Sequence, residues 1–446
     1  MPNRRRFILS ASTLTAAAVG AAAGRNIAPK NPAGELVPVA DTTTGLPLLK
    51  LPRGFRYSSY SWAGDTMLDG NPVPKLHDGM GAFRGQGQTV RLVRNHEIGS
   101  GGNFCKSRYD EAAGGGTTTL VFDQAEGAWQ SCEPSLSGTV RNCSGGPTPW
   151  GSWLTCEEPQ AEFFWSRFEK SHGWVFEVPA LGLGSPKPIE GLGRFRHEAA
   201  VVDPLSGTVY QTEDKGKAGF YRFLPKVLGN LQEGGRLQML AIDGRPGFDA
   251  RRVSAVGEWL PVSWVDIEDP SASESADPPR DQSVAAQGWK RGGAVFRRLE
   301  GCWVDADRVY FVSTNGGRTR HGQIWELSPS NDRLRLIYES PGGDVLDGPD
   351  NLSVAPNGGL VLCENGRRAP TRLCMLTENG RLFPIAENHI LLRGQRGFRG
   401  NVPGKEWCGA CSHGDWLFAN IQVPGITFAI TGPWALLGSR ANGGWM

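Results

Sequence analysis

The chain has 446 residues and a formal net charge of +2. That length suffices for one large core or for two to three ordinary domains. The near-neutral charge, with no basic run interleaved with aromatics after the first few residues, sets nucleic acid aside as a partner. With 61 glycines, 31 prolines and 15 tryptophans at moderate hydrophobicity, the composition favours many turns and short strands over long helices.

In chain order, Asn3-Arg4-Arg5-Arg6-Phe7-Ile8-Leu9 precedes a soft, Ala-rich run from Ser10 to Ala23. Paired arginines before such a run read as a twin-arginine signal over residues 1–24, which hands an already folded protein to export machinery bound for the periplasm or the exterior. The run is too short and too rich in Ala, Ser and Thr to span a bilayer comfortably. No later stretch approaches about 18 consecutive apolar residues, so no membrane contact is expected after cleavage. Residues 25–50 read as a linker, and residues 51–446 as a single, monomeric domain.

A first strand region is expected over Leu51–Tyr60, then a Gly/Pro-rich loop through Gly81. From there one hairpin pattern recurs: a short apolar strand, a tight turn, a second strand, and a closing acid or amide, with an acid also opening the copies at Glu198, Glu300 and Asp350. Thr89–Val93 ends on Asn95-His96-Glu97. The second copy runs from Cys143 through Gly145-Gly146-Pro147 and Trp150–Leu154 to Thr155-Cys156-Glu157-Glu158. Glu198 to Asp214 reads EAAVVDPLSGTVYQTED, with a trailing strand over Gly219–Phe223. Glu300 leads through Val309–Val312 to Asn315, trailed by Gly322–Leu327. Asp350-Asn351 leads through Leu360–Leu362 to Glu364, and the sixth copy runs from Cys408 through Trp416–Phe418 to Asn420. Glu198 and Glu213, and likewise Glu300 and Asn315, are 15 apart, and Asp350 and Glu364 are 14 apart. Six such hairpins with trailing strands predict an all-β, six-bladed β-propeller with inter-blade insertions, the largest over about 232–293. The competing architecture is a β-sandwich with turns at chance positions.

A propeller gathers its hairpin ends around a central channel. Glu97, Glu157, Glu198, Glu213, Glu300, Asp350 and Glu364 are then expected around one axis. So many like charges are tolerable there only around cations, and carboxylate oxygens suit hard ones, calcium above all. Cys156 within TCEE adds a soft ligand, which suits a transition metal such as iron, although a small buried cysteine is the ordinary reading. Arg298, two residues before Glu300, brings a planar fork suited to a phosphate or carboxylate oxyanion. The nine cysteines have irregular spacing apart from Cys408-Gly-Ala-Cys411, and a lone CxxC reads first as a pair of buried strand cysteines.

The twin-arginine leader, VRNHE, WGSWLTCEE, RHEAAVVDPLSGTVYQTED, FRRLEGCWVD with STNGG, DGPDNLSVAPNGGLVLCENG and HGDWLFANIQ together resemble the PhoX-type alkaline phosphatases, from about Arg91 to Gly432. The resemblance implies an exported propeller that hydrolyses phosphomonoesters with an oxo-bridged cluster of iron and calcium ions. It implies Cys156 as the iron ligand, metal-binding roles for Glu97, Glu157, Glu198, Glu213, Asp350 and Glu364, and a phosphate- and metal-contacting pair in Arg298 and Glu300. The chain is shorter than typical members between Glu300 and Asp350. Two other functions fit the acid ring: a calcium-dependent propeller lactonase or esterase, and a non-catalytic binding propeller with structural calcium.

Overall fold

Short β-forming runs broken by Gly, Pro, Asn and Asp fold here as antiparallel strands, and the computed structural model is built almost wholly of them. It describes residues 32–158, 168–253, 255–272 and 282–438. The expected leader and the start of the linker lie outside these. The described residues belong to one compact unit, 31–446. Among them is a single short α-helix, Val284–Lys290, whose N-cap Ser283 accepts the Ala286 N–H. No described helix is long and apolar enough to cross a membrane.

The expected β-propeller is what these strands form. Six leading strands, His77–Arg84, Asn142–Pro147, His197–Val202, Leu299–Asp305, Pro349–Val354 and Trp407–His413, each pair outward with the strand that follows. They pack against one another in that cyclic order, the last against the first, and so surround one axis. The ring is fastened by Arg56–Tyr60, which pairs with Ile426–Thr431 as the outer strand of the final sheet. The two ends of the fold thereby share one sheet and leave no gap to open. Apolar side chains fill the wedges between sheets; Leu92, Phe122, Cys411 and Phe418, for example, join the first sheet to the last.

Three stretches differ from expectation. Leu36–Val39 and the first half of Leu49–Pro52, read as linker, are strands that extend the sheet led by Pro349–Val354 outward, because Leu48, Leu49 and Leu51 bury themselves in its core. The insertion begins later than 232: Gly235–Ile242 is an ordinary fourth strand. Trp259–Asp266 then bridges to Arg333–Glu339 and fuses two sheets into a nine-stranded one. The loop expected through Gly81 holds the first leading strand, His77–Arg84. Its glycines disguise it and are needed there. A Cβ on Gly79 would lie 2.5 Å from the Ser144 Cα, and one on Gly81 would lie 2.5 Å from the Trp153 ring.

All six leading strands share one irregularity. In each, the register slips by one residue near the start of the strand, after the first pair in five of them and after the second, Cys408 with Asn420, in Trp407–His413, so that three residues span the length of two on the partner. Such a bulge bends the strand and re-aims the extra side chain. The residues that directly follow the pair before the slip are Asp78, Cys143, Glu198, Glu300, Asp350 and Gly409, second in the first five leading strands and third in the last.

The close approach of the first leading strand to Trp153 of the second sheet gives a test of the packing. Gly81→Val is expected to destabilise the fold by about 1–3 kcal/mol, the usual cost of overpacking, read as a lowered midpoint in urea denaturation; an unchanged midpoint would contradict the contact with Trp153.

Candidate metal centre

The shared bulge decides which side chains meet. Ligating atoms of Glu198, Glu300 and Asp350 lie within 4.8 Å of one another, all three residues being buried. A neighbouring group on the same scale joins Asp78, Glu97 and Cys143, and a third joins Asp78, Glu406 and Cys408. Asp78 is common to the last two. Gln422 ties it to the rim, donating to Asp78 Oδ2 at 3.1 Å and to Glu97 Oε2 at 2.9 Å.

Around the mouth runs an unbroken chain of ion pairs. Arg141 bridges Glu97 and Glu158, Arg196 bridges Glu158 and Asp214, and Arg298 bridges Asp214 and Glu300. Each arginine is the residue just before a leading strand. Arg298 and Arg141 stand there in the left-handed region, at φ 41° and 49°, which swings their side chains out of the strand direction. Arg298 is gripped most firmly: Nε and Nη2 donate to the two Asp214 oxygens at 2.8 and 3.1 Å, and Nη2 also reaches Glu300 Oε1 at 2.8 Å.

Charge in this basin is unbalanced. Eight carboxylates (Asp78, Glu97, Glu158, Glu198, Asp214, Glu300, Asp350 and Glu406) face three guanidiniums. Burial, reinforced by neighbouring acids, pushes Asp78, Glu198, Glu300 and Glu406 well above the usual carboxylate range. Burial lifts Asp350 to about 6 and Glu158 to about 8. Asp214 alone among them is lowered: burial pushes it up, but the hydrogen bonds from Arg298 and Glu158 and the charges of Arg298 and Arg196 together outweigh that. Neither buried oxygen of Glu198 meets a conventional donor, and its polar neighbour is the Cys143 thiol. Asp78 Oδ1 is likewise buried without a partner. Unpaired buried carboxylate oxygens among further acids and one thiol are the donor set of bound cations, so these residues fit a metal cluster.

The structure brings together Glu198, Glu300 and Asp350, sets Arg298 on Glu300, and places Glu97 in the adjoining group. It places four other expected residues elsewhere. Glu157 accepts from the backbone N–H of Val140, Gly173 and Trp174 and bonds the His172 ring. Glu213 accepts from Gly219 N–H and Tyr221 Oη. Glu364 accepts from the N–H of Asp347 and Arg372 and from the Arg372 guanidinium. These three acids anchor loops. Cys156 lies in an apolar cluster with Leu154, Val175 and Tyr221, and among the described residues it joins no ligating group. His96 and His197 likewise bond loop carbonyls, those of Lys75 and Gly193.

Residues missed by the sequence reading are Asp78, Cys143 and Glu406 among the ligating atoms, and Glu158, Asp214, Arg141 and Arg196 at the rim. Strand alternation narrows the choice at two of them. Neighbouring residues on a strand face opposite ways, so within Glu157-Glu158 and Glu213-Asp214 only one acid can face the axis, and it is the second.

The profile of the family described as alkaline phosphatase PhoX matches residues 34–135 and 133–425 of the chain. A comparison with curated protein sequences returned no match. Among solved structures, the fold is similar to PhoX of Pseudomonas fluorescens in complex with vanadate, a transition state analogue. The TM-score is 0.64 at 17% identity, over 89% of this chain and 97% of that one. It is more distantly similar to a catalytically inactive virginiamycin B lyase from Staphylococcus aureus with quinupristin, with a TM-score of 0.40 at 9% identity, over 84% and 99% of the two chains.

The raised carboxylates give a pH test. An unfolded chain releases these protons near pH 4, whereas the folded, cation-free chain holds them higher. The stability these protons contribute is therefore present at low pH and lost as pH climbs through the folded values, about 6 for Asp350 and about 8 for Glu158. Chelator-treated protein is expected to show a melting temperature that falls between pH 5 and 8, and added calcium should restore it most at the alkaline end. A flat profile would count against a shared acidic basin.

Proposed function

The chain belongs to the alkaline phosphatase PhoX family, and on that premise we propose that it hydrolyses phosphomonoesters at a mixed cluster of iron and calcium ions in the propeller channel. The observation that carries this reading is Glu198, a buried carboxylate of the all-oxygen group that meets no conventional donor and neighbours the Cys143 thiol of the thiol-bearing one. Glu198, Glu300 and Asp350 would hold a hard cation, for which calcium is suited. Asp78, Glu97 and Cys143 would hold the softer one, for which iron is suited. On this geometry the thiolate of the cluster is that of Cys143, with Cys156 a packed neighbour.

Such cations supply Lewis acidity and cancel the repulsion between a phosphate dianion and the acid ring. The chain's own residues do the positioning. Arg298 sits half exposed at the mouth with Nε and Nη2 committed to acids, and no described residue accepts from Nη1. That group is free to donate to a non-bridging phosphate oxygen. The bidentate grip of Asp214 fixes the plane of the guanidinium before substrate arrives, so little side-chain entropy is lost on binding. Glu300 touches both that guanidinium and the hard-cation group, and so couples substrate position to cation position. The Glu158 and Arg196 pair braces Asp214 from the other side. A calcium-only lactonase or a binding propeller would leave the Cys143 thiol and the pre-aimed Arg298 without a task.

We further propose that residues 1–24 direct twin-arginine export of the folded, loaded protein, which then acts as a monomer in the periplasm or outside the cell. Elemental analysis and a phosphomonoester panel, run on protein taken from that export route, test the whole reading. Iron with calcium and turnover are expected; calcium alone with no phosphoester turnover would overturn it.

Two substitutions sharpen the assignment. Cys143→Ala is expected to abolish bound iron and turnover in a folded protein, whereas Cys156→Ala should keep both; the reverse pattern would return the ligand to Cys156. Arg298→Lys keeps the charge but loses the fork. It is expected to lower kcat/KM for p-nitrophenyl phosphate by about ten- to a hundredfold, the worth of one charged hydrogen bond, with metal content unchanged.

A further inference from the structure

The Cys408-x-x-Cys411 motif is left unused by the reading above. The bulge between its two cysteines sends them to different surroundings. Cys411 packs among Phe122, Trp416 and Phe418. Cys408 stays on the channel wall, where its Sγ lies within 4.8 Å of ligating oxygens of Asp78 and Glu406, themselves equally close to each other. Asp78 is 1% exposed, and its Oδ1 has no hydrogen-bond partner. Its Oδ2 takes Gln422 Nε2 at 3.1 Å and the Cys143 thiol at 3.8 Å. One buried carboxylate thus stands between two thiols.

We propose that Asp78, Glu406 and Cys408 form a second thiol-bearing cation position, joined through Asp78 to the Cys143 position. The proposal rests on the channel holding cations and adds where the softness lies. The all-oxygen group of Glu198, Glu300 and Asp350 takes a hard ion. The opposite arc, with a thiol on either side of Asp78, takes borderline transition ions of the iron or zinc class. Ligand atoms at roughly 2.0–2.3 Å from one ion lie up to about 4 Å apart, so a group already within 4.8 Å closes on an ion by side-chain rotation alone. The Cys408 thiol now donates to the His77 carbonyl at 3.0 Å. Binding exchanges that weak bond for an ion–sulfur bond and releases the thiol proton to water.

Cobalt(II) titration of the chelator-treated full-length protein tests this, since thiolate-to-cobalt charge transfer reports sulfur ligands directly. Cys408→Ser and Cys143→Ser should each remove a separate part of that absorption and the double variant all of it, with Cys411→Ser unchanged. A Cys408→Ser titration identical to that of the unsubstituted chain would overturn the proposal. Because serine at a fully buried position can impair folding, cadmium-113 spectra of the unsubstituted chain serve as a second readout. Two thiolate-bearing resonances are expected, and one alone would overturn it. Neither readout needs turnover. Both signals present without phosphoester hydrolysis would sink the phosphatase reading and leave this position standing; hydrolysis with no Cys408 signal would do the opposite.

Discussion

The bulge repeated in all six leading strands is the constraint on which the rest depends. A regular strand alternates its side chains between the two faces of the sheet; the extra residue breaks that alternation and re-aims the side chain, and five of the six positions carry a ligating group. The cost is electrostatic. Two carboxylates 4 Å apart repel by about 4 kcal/mol even at an effective dielectric constant near 20, and a whole domain is stable by only about 5–15 kcal/mol. Two or three such pairs, fully ionised, would use up that margin. The basin must therefore be protonated or filled with cations, and the same geometry that makes it unfavourable when empty makes it selective for multiply charged guests.

Bulges also strand backbone groups, and these stranded groups stitch the sheets together. Asn95 Nδ2 donates to the carbonyls of Cys143 and Ser144 in the next bulge. Thr212 Oγ1 accepts from Ala199 N–H and donates to the Glu300 carbonyl across the sheet boundary. Asn420 Nδ2 donates to the Asp78 carbonyl, and Asn351 Oδ1 accepts from Gly409 N–H. Buried backbone groups must find partners, so each bulge is held in shape largely by its neighbours. The positions of the ligating side chains are consequently fixed by the whole ring and not by any one sheet.

This also explains what could be read in the sequence. The repeat was legible because turn residues and apolar runs recur at matching offsets, and because Glu198, Glu300 and Asp350 each open a strand with an acid. Which acid of a pair faces the axis was not legible from the offsets: a shift of one residue exchanges Glu213 for Asp214, and the repeat length does not specify that phase. The first leading strand was hidden because Gly79 and Gly81, demanded by the approach of Ser144 and Trp153, look like a loop. Cys143 was hidden for a related reason. It stands where other copies carry an acid, and the thiol that the sequence sets beside acids is that of Cys156, one strand later and followed by two glutamates.

The rim shows how the charge excess is arranged around the mouth. Arg141, Arg196 and Arg298 occupy the same place in three consecutive sheets, and their acid partners, Glu97, Glu158 and Asp214, occupy another equivalent place. In the next two sheets that second place holds Thr314 and Asn365, and no arginine precedes Pro349 or Trp407. Half of the rim is therefore rigid, alternating in sign and nearly neutral, and its positive members are already spoken for. Arg298 ends this arc beside the half without fixed cations, and it is the most exposed of the three. Among the described residues of this arc, Arg298 is thus the guanidinium that stands beside the group of Glu198, Glu300 and Asp350, with its Nε and Nη2 braced by Asp214 on one side and by Glu300 on the other.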